Sequence, residues 1–266
     1  AGLDTACHDL TARRAGLPVA KALNPDAAAS VPVYASGIKI TDAQAKIASA
    51  RAQGIKAFKV KIGFDMANDL ATLEQLSSDL RETERLFTDA NQAWDTATAL
   101  HFMLAAKDLN IGWIEEPIRA DAPADDWARL AAIGQPPLAG GENITGTDKF
   151  AASTAHLTYI QPDVAKWGGV TGCFEAAQKI TQAGRTYCPH FLGGGLGLMA
   201  SAHLLAATGG KGLLELDINA NPLRDDLLPK GALRDGKFHL TGTPGLGVDT
   251  LPDSLADFET LNLETA

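Results

Sequence analysis

The chain has 266 residues, of which 45% are hydrophobic and 21% are charged, as in globular proteins with a sizeable core. This composition excludes a disordered chain, a coiled coil and a fibrous repeat. Asp and Glu outnumber Lys and Arg by 32 to 23, and no basic run occurs, so no nucleic-acid-binding surface is expected. Three cysteines without CxxC spacing argue against a disulfide framework and predict a cytoplasmic location.

Neither a secretion signal nor a membrane span is predicted. The first residues, AGLDTACHDL, lack the basic and then apolar order of a signal peptide. They also lack an initiating Met, so we expect the chain to start partway through a longer protein. Residues 191–210 contain no Asp, Glu, Lys or Arg, but a glycine triplet and His203 interrupt them. The preferred interpretation is one buried helix, LGLMASAHLLAA, in a soluble protein.

Short β-rich runs alternate with amphipathic helical runs along most of the chain. Strands are predicted, in chain order, at residues 31–37, 57–64, 86–91, 111–117, 137–143, 159–164, 186–190 and 213–218. Between them lie helical segments such as TDAQAKIASARAQG, which Gly54 is suited to end. Eight strands alternating with seven helices predict an α/β fold with a parallel sheet closed into a barrel. An open doubly wound sheet is the alternative.

Polar side chains stand at the carboxyl ends of nearly all the predicted strands, about one strand–helix unit apart. In chain order they are Lys59 and Lys61, Asp89 and Asn91, Glu115, Glu142, Asp163, His190 and Glu215. In a closed barrel these positions converge on one mouth, which is where barrel active sites lie. This regular spacing is the strongest functional signal in the sequence.

Three of these residues, Asp89, Glu115 and Glu142, follow consecutive strands. Carboxylates with no neighbouring thiol or imidazole suit a hard cation, Mg²⁺ first and Mn²⁺ second. Separate salt bridges to the lysines are the alternative. Lys59 and Lys61 alternate on one strand and therefore both face the barrel interior, where one of them can act as a base. Structural ion pairs are again the alternative.

Asp163 and His190 end neighbouring strands, so the carboxylate is expected to orient the imidazole and raise its basicity. Lys166, three residues after Asp163, adds positive charge near the site. The three lysines and a divalent ion outweigh the three metal carboxylates. This count predicts an electropositive mouth and a small anionic substrate, such as a carboxylate.

One motif competes with this interpretation. Residues 195–200, GLGLMA, match the dinucleotide-binding pattern, and an acidic residue, Glu215, follows at the expected distance. The match lies in the seventh strand–helix unit rather than the first, and Pro189 and His190 end its strand. We therefore expect these glycines to let a loop approach the site, holding a carboxylate or phosphate on backbone N–H groups, rather than to bind NAD.

These residues resemble the enolase superfamily and, within it, the mandelate racemase/muconate lactonizing enzyme group. The matching stretches are KVKIG, TDANQAW, WIEEP, GGEN, QPDVAKWGGVTG, CPH, SAHLLAA and LLELD. The resemblance implies a (β/α)7β barrel closed by an α+β capping domain built from both chain ends. Residues 1–30 would be the end of that domain, with most of it absent, residues 31–235 the barrel, and residues 236–266 a segment returning to the cap.

The resemblance also implies a role for each residue. Asp89, Glu115 and Glu142 would bind Mg²⁺, whereas Glu116, the second acid of the EEP motif, would not. Lys61 and the Asp163–His190 pair would be the two acid/base groups, and Glu215 would hydrogen-bond the substrate carboxylate as an electrophile. Lys59, Asn91 and Lys166 would line the substrate site.

The common step of the family is removal of the proton α to a carboxylate through an enediolate, as noted generally for enolase-superfamily sites. A sugar-acid dehydratase is the favoured outcome, and a racemase or epimerase is the alternative. Muconate-type cycloisomerisation is disfavoured because that branch has a lysine where Asp163 stands. A non-catalytic barrel that binds a metal or ligand is a remote alternative. The resemblance further implies a homo-oligomer.

Overall fold

Eight parallel strands form the centre of the molecule in the computed structural model, which describes residues 1–258. They are β1 (Ser30–Lys39), β2 (Ala57–Lys61), β3 (Arg85–Asp89), β4 (Ile111–Glu115), β5 (Leu138–Gly140), β6 (Tyr159–Ile160), β7 (Thr186–Tyr187) and β8 (Leu214–Asp217). Successive strands pair from β1 to β7, and β8 pairs in parallel with β1. Next to β7, the backbone N–H of Leu213 donates to the sulfur of Cys188 at 3.5 Å. A Cβ on Gly212, just before β8, would also come within 1.9 Å of the carbonyl oxygen of Tyr187 in β7. Because β8 thus lies against both β1 and β7, the predicted barrel is confirmed and the open sheet is excluded.

Seven of the eight strands end earlier than the sequence pattern predicts, and prolines account for the difference in two of them, β6 and β7. Pro162 follows β6 and Pro189 follows β7, and proline has no N–H with which to continue a ladder. Beyond these residues one isolated parallel bridge joins Asp163 to His190. The chain therefore leaves the regular sheet at the point where the two candidate site residues come together.

Seven helices connect the strands. They are α3 (Ala43–Ala52), α4 (Met66–Ser78), α5 (Thr96–Ala106), α6 (Ala124–Ala131), α7 (Thr147–Ser153), α8 (Gly169–Gln182) and α9 (Gly195–Thr208). Two further helices, α1 (Gly2–Arg14) and α2 (Val19–Leu23), precede the barrel in the chain, and α10 (Pro222–Asp225) follows β8. Gly54 lies two residues beyond α3 with φ 80°, a left-handed conformation that suits a helix end. The predicted buried helix is α9, in which nearly every side chain is buried. Within residues 1–258 no helix is long and apolar enough to cross a membrane.

An aromatic layer fills the amino end of the barrel. The rings of Phe87 and Trp113 stack with centroids 3.6 Å apart, and Tyr34 meets Trp113 edge-on at 5.3 Å. All three side chains are buried. Because this layer blocks the amino end of the barrel, ligands reach the interior from the carboxyl ends of the strands, as is usual for such barrels.

Both chain ends pack on the outside of the barrel. Helix α1 packs against α8 and helix α2 against α9, while an antiparallel hairpin, β9 (Leu233–Arg234) and β10 (Lys237–His239), extends the sheet from β1. A bridge joins Pro18 to Gly245, and a 3₁₀ segment follows at Asp253–Phe258. The assignment of residues 1–30 and 236–266 to a capping domain stays a prediction. The β9–β10 hairpin spans the predicted boundary between residues 235 and 236, and residues 259–266 lie outside the described part of the chain.

Candidate active site

Lys59 lies at the centre of the mouth among carboxylates. Its Nζ donates to both oxygens of Glu115 at 2.8 Å and lies 2.8 Å from Oε1 of Glu215 and 3.6 Å from Oδ2 of Asp89. Burial alone would lower the pKa of Lys59, but the charges of Glu115 and Glu215 hold it well above its usual value. Lys59 is therefore a fixed cation and not a proton acceptor.

Lys61 lies nearer the opening, with 23% of its side chain exposed. Its Nζ contacts Oδ2 of Asp89 at 2.6 Å and Oδ1 of Asn91 at 2.5 Å. Asn91 has a φ of 45°, and its N–H donates to Oδ1 of Asp89 at 2.8 Å, which turns the chain back over the strand end. Lys61, Asp89 and Glu115 are in register across β2, β3 and β4.

His190 is held between carboxylates. Its Nδ1 lies 2.7 Å from Oδ2 of Asp163, and its Nε2 lies 2.9 Å from Oε2 of Glu142 and 3.7 Å from Oε2 of Glu215. Burial alone would lower the pKa of His190, but Glu215, Asp163 and Glu142 together raise it to about 10. The imidazole is therefore protonated at neutral pH and can donate a proton.

Asp163 is fixed by its own turn. Its Oδ1 accepts the backbone N–H of Ala165 at 2.7 Å and that of Lys166 at 3.1 Å, which leaves Oδ2 for His190. The side chain of Lys166 reaches Oε2 of Glu142 at 2.7 Å. Burial would raise the pKa of Glu142, but the hydrogen bonds from His190 and Lys166 hold it well below its usual value.

The paired acids of the EEP motif behave differently from Glu142. Burial, reinforced by Asp89, raises the pKa of Glu115 to about 8, while burial and Glu142 raise that of Glu116 to about 7. Oε1 of Glu116 is buried and has no hydrogen-bond partner. A buried carboxylate oxygen with a free lone pair is costly unless a cation or a donor reaches it.

Three polar residues of this network were not predicted. Gln161 donates from Nε2 to Glu115 at 2.7 Å, Ser36 donates from Oγ to Glu215 at 2.6 Å, and Asn143 donates from Nδ2 to Glu116 at 2.7 Å. All three stand in or just after barrel strands. The charged site residues were predicted because they are polar and stand at strand ends. The same criterion, applied to uncharged polar residues, would have identified these three as well.

The contacts of Glu215 bear on its predicted role. Burial alone would raise its pKa, but Lys59 and His190 lower it to about 2, helped by a hydrogen bond from Ser36. An ionised carboxylate accepts hydrogen bonds and donates none. The role of electrophile needs a proton on Glu215, so it stays a prediction that requires proton transfer within the network.

The charge of the mouth differs from the sequence-based count. The structure adds Glu116, Asp163 and Glu215 to the three predicted metal carboxylates, so six acids face three lysines and one imidazole. With all six acids ionised, a divalent ion and a protonated imidazole would bring the mouth to neutrality. The raised pKa values of Glu115 and Glu116 reduce the negative charge further, so the expected electropositive mouth stays a prediction. The sequence-based count left out Glu116, Asp163 and Glu215.

The donor set fits a hard divalent cation in its chemistry. Asp89, Glu115 and Glu142 are buried oxygen donors, and the first two are paired across β3 and β4. Within residues 1–258 no three acid or imidazole side chains converge on one ion position as they stand, because lysines and His190 contact these carboxylates instead. The excess of acids over lysines, and the unpartnered oxygen of Glu116, both favour an added cation.

The GLGLMA segment serves packing and not dinucleotide binding. A Cβ on Gly197 would come within 2.0 Å of the Phe191 ring, and one on Gly195 within 2.7 Å of Leu227. Glu215 is completely buried and bonded to Ser36 and Lys59, so it cannot reach a ribose. Gly197 therefore lets α9 lie close to the loop that carries His190, and Gly195 lets it lie close to the end of α10.

Comparisons with known proteins agree with this architecture. Residues 42–254 match the family described as Enolase C-terminal domain-like. D-galactarolactone cycloisomerase from Agrobacterium fabrum is 30% identical over 97% of this chain and 72% of its own length. A solved mandelate racemase/muconate lactonizing enzyme from Bordetella bronchiseptica is 46% identical with a TM-score of 0.90, covering 96% of this chain and 71% of the other.

A third relative was solved with ligands. The structure of L-talarate dehydratase from Polaromonas sp. JS666, complexed with Mg and L-glucarate, is 29% identical with a TM-score of 0.82 and covers 95% of this chain and 70% of that one. The chain belongs to the enolase superfamily, in the mandelate racemase/muconate lactonizing enzyme group. The predicted family, barrel and enzyme class are thereby confirmed.

Proposed function

We propose that the chain removes the proton α to the carboxylate of a small acid sugar, with Mg²⁺ as cofactor, and eliminates water. The observation that carries this proposal is the position of His190, held 2.7 Å from Asp163 through Nδ1, in a mouth that also contains Lys61 and the buried acids Asp89, Glu115 and Glu142. The substrate class is supported by the relative crystallised with L-glucarate.

Asp89, Glu115 and Glu142 would hold the ion after their present contacts with lysine and imidazole are released. Bound there, Mg²⁺ would stabilise the negative charge that builds up on the substrate carboxylate. Lys59 adds a fixed positive charge to the same region because it cannot lose its proton at neutral pH. Mn²⁺ in place of Mg²⁺ and assembly into a homo-oligomer stay predictions.

In the proposed reaction Lys61, as the free amine, takes the α-proton, and the C–H electrons form the enediolate. His190 then donates its proton to the hydroxyl on the next carbon, the C–O bond breaks and water leaves. The resulting enol tautomerises to a 2-keto acid. Asp163 is a positioning residue here because it fixes the ring through Nδ1 and leaves Nε2 to face the substrate.

A racemase or epimerase is the second candidate. Lys61 ends β2, and His190 follows β7, so the two proton-transfer groups come from strands separated by β8 and β1. Two groups on different sides of the mouth can remove a proton from one face and return it to the other. This outcome requires a substrate with no leaving group next to the α-carbon.

The test is incubation in D₂O with Mg²⁺ and a panel of sugar acids and α-substituted carboxylates, followed by NMR. A 2-keto product supports the dehydratase, and deuterium incorporation without elimination supports the racemase or epimerase. His190→Asn should lose elimination while keeping Lys61-dependent exchange of the α-proton, and His156→Asn, at a half-buried histidine outside the mouth, should behave like the parent chain. Metal binding with neither exchange nor elimination would favour a non-catalytic barrel.

A further inference from the structure

A second polar concavity lies at the amino end of the barrel, opposite the mouth. This amino-end cavity has a volume of about 800 Å³, and Phe87 and Leu213 from the lower barrel layer form part of its floor. Small-molecule sites usually measure about 300–1,000 Å³. The cavity therefore has room for a metabolite, and nothing in the proposed reaction uses it.

The charge of the amino-end cavity is opposite to that of the whole chain. Lys56, Arg85, Lys211 and Lys237 line it, with Asp235 as the only acid among its lining residues. Within residues 1–258 none of these four cations lies within 4 Å of a carboxylate. In a protein with a net charge of −9, four unpaired cations around one concavity call for an explanation.

The barrel itself sets the positions of these cations. The backbone N–H of Arg85 donates to the carbonyl of Lys56 at 2.9 Å, which fixes these two residues side by side. Lys237, the first residue of β10, pairs with Pro32 of β1. The sheet therefore fixes the backbone positions of Lys56, Arg85 and Lys237 around one concavity, and their exposed side chains can turn toward a bound ligand.

Neutral donors complete the lining. The half-buried hydroxyl-bearing residues Tyr159 and Thr186 face the same cavity. Burial raises the pKa of Tyr159, while the charge of Arg85 acts in the opposite direction, as expected if the guanidinium lies near the phenol. Hydroxyl and guanidinium groups together form the donor set that binds phosphate or carboxylate oxygens.

Cations at this end also complement the carbonyl ends of the surrounding helices. That role accounts for single lysines scattered along a rim, since each would act on its own helix. It does not account for four that face one concavity with a single acid, because like charges repel and the repulsion persists until an anion binds.

We infer that the amino-end cavity binds a small multivalent oxyanion bearing phosphate or carboxylate groups. A monovalent anion would leave most of the four charges unbalanced. A small molecule is favoured over an extended polyanion because the charges line a concave site, and the neighbouring cations Arg51 and Arg81 are paired with Glu84.

Titration calorimetry without divalent metal, at low ionic strength, tests this proposal with inorganic pyrophosphate and, separately, citrate. We expect saturable binding that weakens with salt, and the probe that binds more tightly shows whether phosphate or carboxylate is preferred. The double variant Lys56→Gln/Lys211→Gln should weaken binding by about tenfold, since each lost surface charge is worth a few-fold. Lys149→Gln, an exposed lysine at the start of α7 and so at the other end of the barrel, should bind as the parent does.

Backbone NMR shifts identify the place of binding independently of the variants. Titrating pyrophosphate should move the amide signals of Gly112 and Thr186, which line the cavity, and leave that of Asn143 unchanged. Shifts at the mouth instead, equal affinity in the double variant, or absence of saturable binding of both probes would each overturn the proposal. Matching thermal unfolding curves for the parent and the variants show that the exposed Lys→Gln changes leave the fold intact.

Discussion

Acid should destabilise the packing of the chain ends on the barrel through one buried histidine. His203, on α9, is 1% exposed, and its Nδ1 accepts the backbone N–H of Ala20 at 3.1 Å. Because Nδ1 accepts this hydrogen bond, the proton of the neutral ring is on Nε2. A second proton, on Nδ1, would place the ring N–H and the Ala20 N–H opposite each other as two donors. Burial lowers the pKa of His203 to about 4, although a backbone hydrogen bond with Leu246 acts in the opposite direction.

The sign and size of the effect follow from this shift. The unfolded chain protonates His203 near pH 6.5, whereas the folded chain does so only near pH 4. Stability from this group is therefore complete above pH 6.5 and falls as the pH drops toward 4. A shift of one pKa unit corresponds to about 1.4 kcal/mol, so the loss is about 2 kcal/mol at pH 5 and about 3 kcal/mol at the lower limit.

Urea unfolding between pH 8 and pH 4.5 measures this contribution when the parent is compared with His203→Asn. The amide oxygen of asparagine can accept from Ala20, and the side chain does not titrate. The variant loses some packing, so it should be less stable at pH 8, but the gap should narrow by about 2 kcal/mol at pH 5. A gap that stays constant with pH would show that His203 titrates normally and would refute the reasoning.

Three further predictions concern the site, the core and the thiols. Glu142→Gln should weaken Mg²⁺ binding by at least about tenfold in a calorimetric titration, and unchanged affinity would remove Glu142 from the ligand set. Phe102→Ala should lower the free energy of unfolding by about 3–5 kcal/mol in urea, because the ring is fully buried; a loss below about 1 kcal/mol would contradict this. Burial raises the pKa of Cys173 and Cys188 to about 12, so a thiol reagent at neutral pH should modify only the exposed Cys7 until denaturant is added.

The barrel and its mouth could be predicted because one physical rule links them to the sequence. Parallel strands appear in the sequence as short apolar runs, and the residues that follow them lie together at the carboxyl end of the barrel. Lys61, Asp89 and Glu115, which are far apart in sequence, are in register on adjacent strands for this reason. Strand lengths were overestimated where Pro162 and Pro189 stand, because the polar residues after a proline still resemble a strand end.

The protonation states at the mouth could not be predicted from the sequence. The state of Glu215 depends on Ser36, which lies 179 residues earlier, and on Lys59 across the barrel. Such pairs form only when the barrel closes, and a buried pKa depends on every charge within a few ångströms. The sequence-based charge count was incomplete for the same reason, since acids from separate strands converge on the same space.

The two lysines of the KVKIG motif illustrate what the fold adds to a pattern. Alternation on β2 turns both side chains inward, so the sequence treats Lys59 and Lys61 as equivalent candidates for the base. Depth separates them: Lys59 is 1% exposed and contacts Glu115 and Glu215, while Lys61 is partly open to the mouth and bonds Asp89 and Asn91. A base must be able to lose its proton and reach the substrate. The charges around Lys59 hold its proton in place, and this supports the proposal that Lys61 is the base.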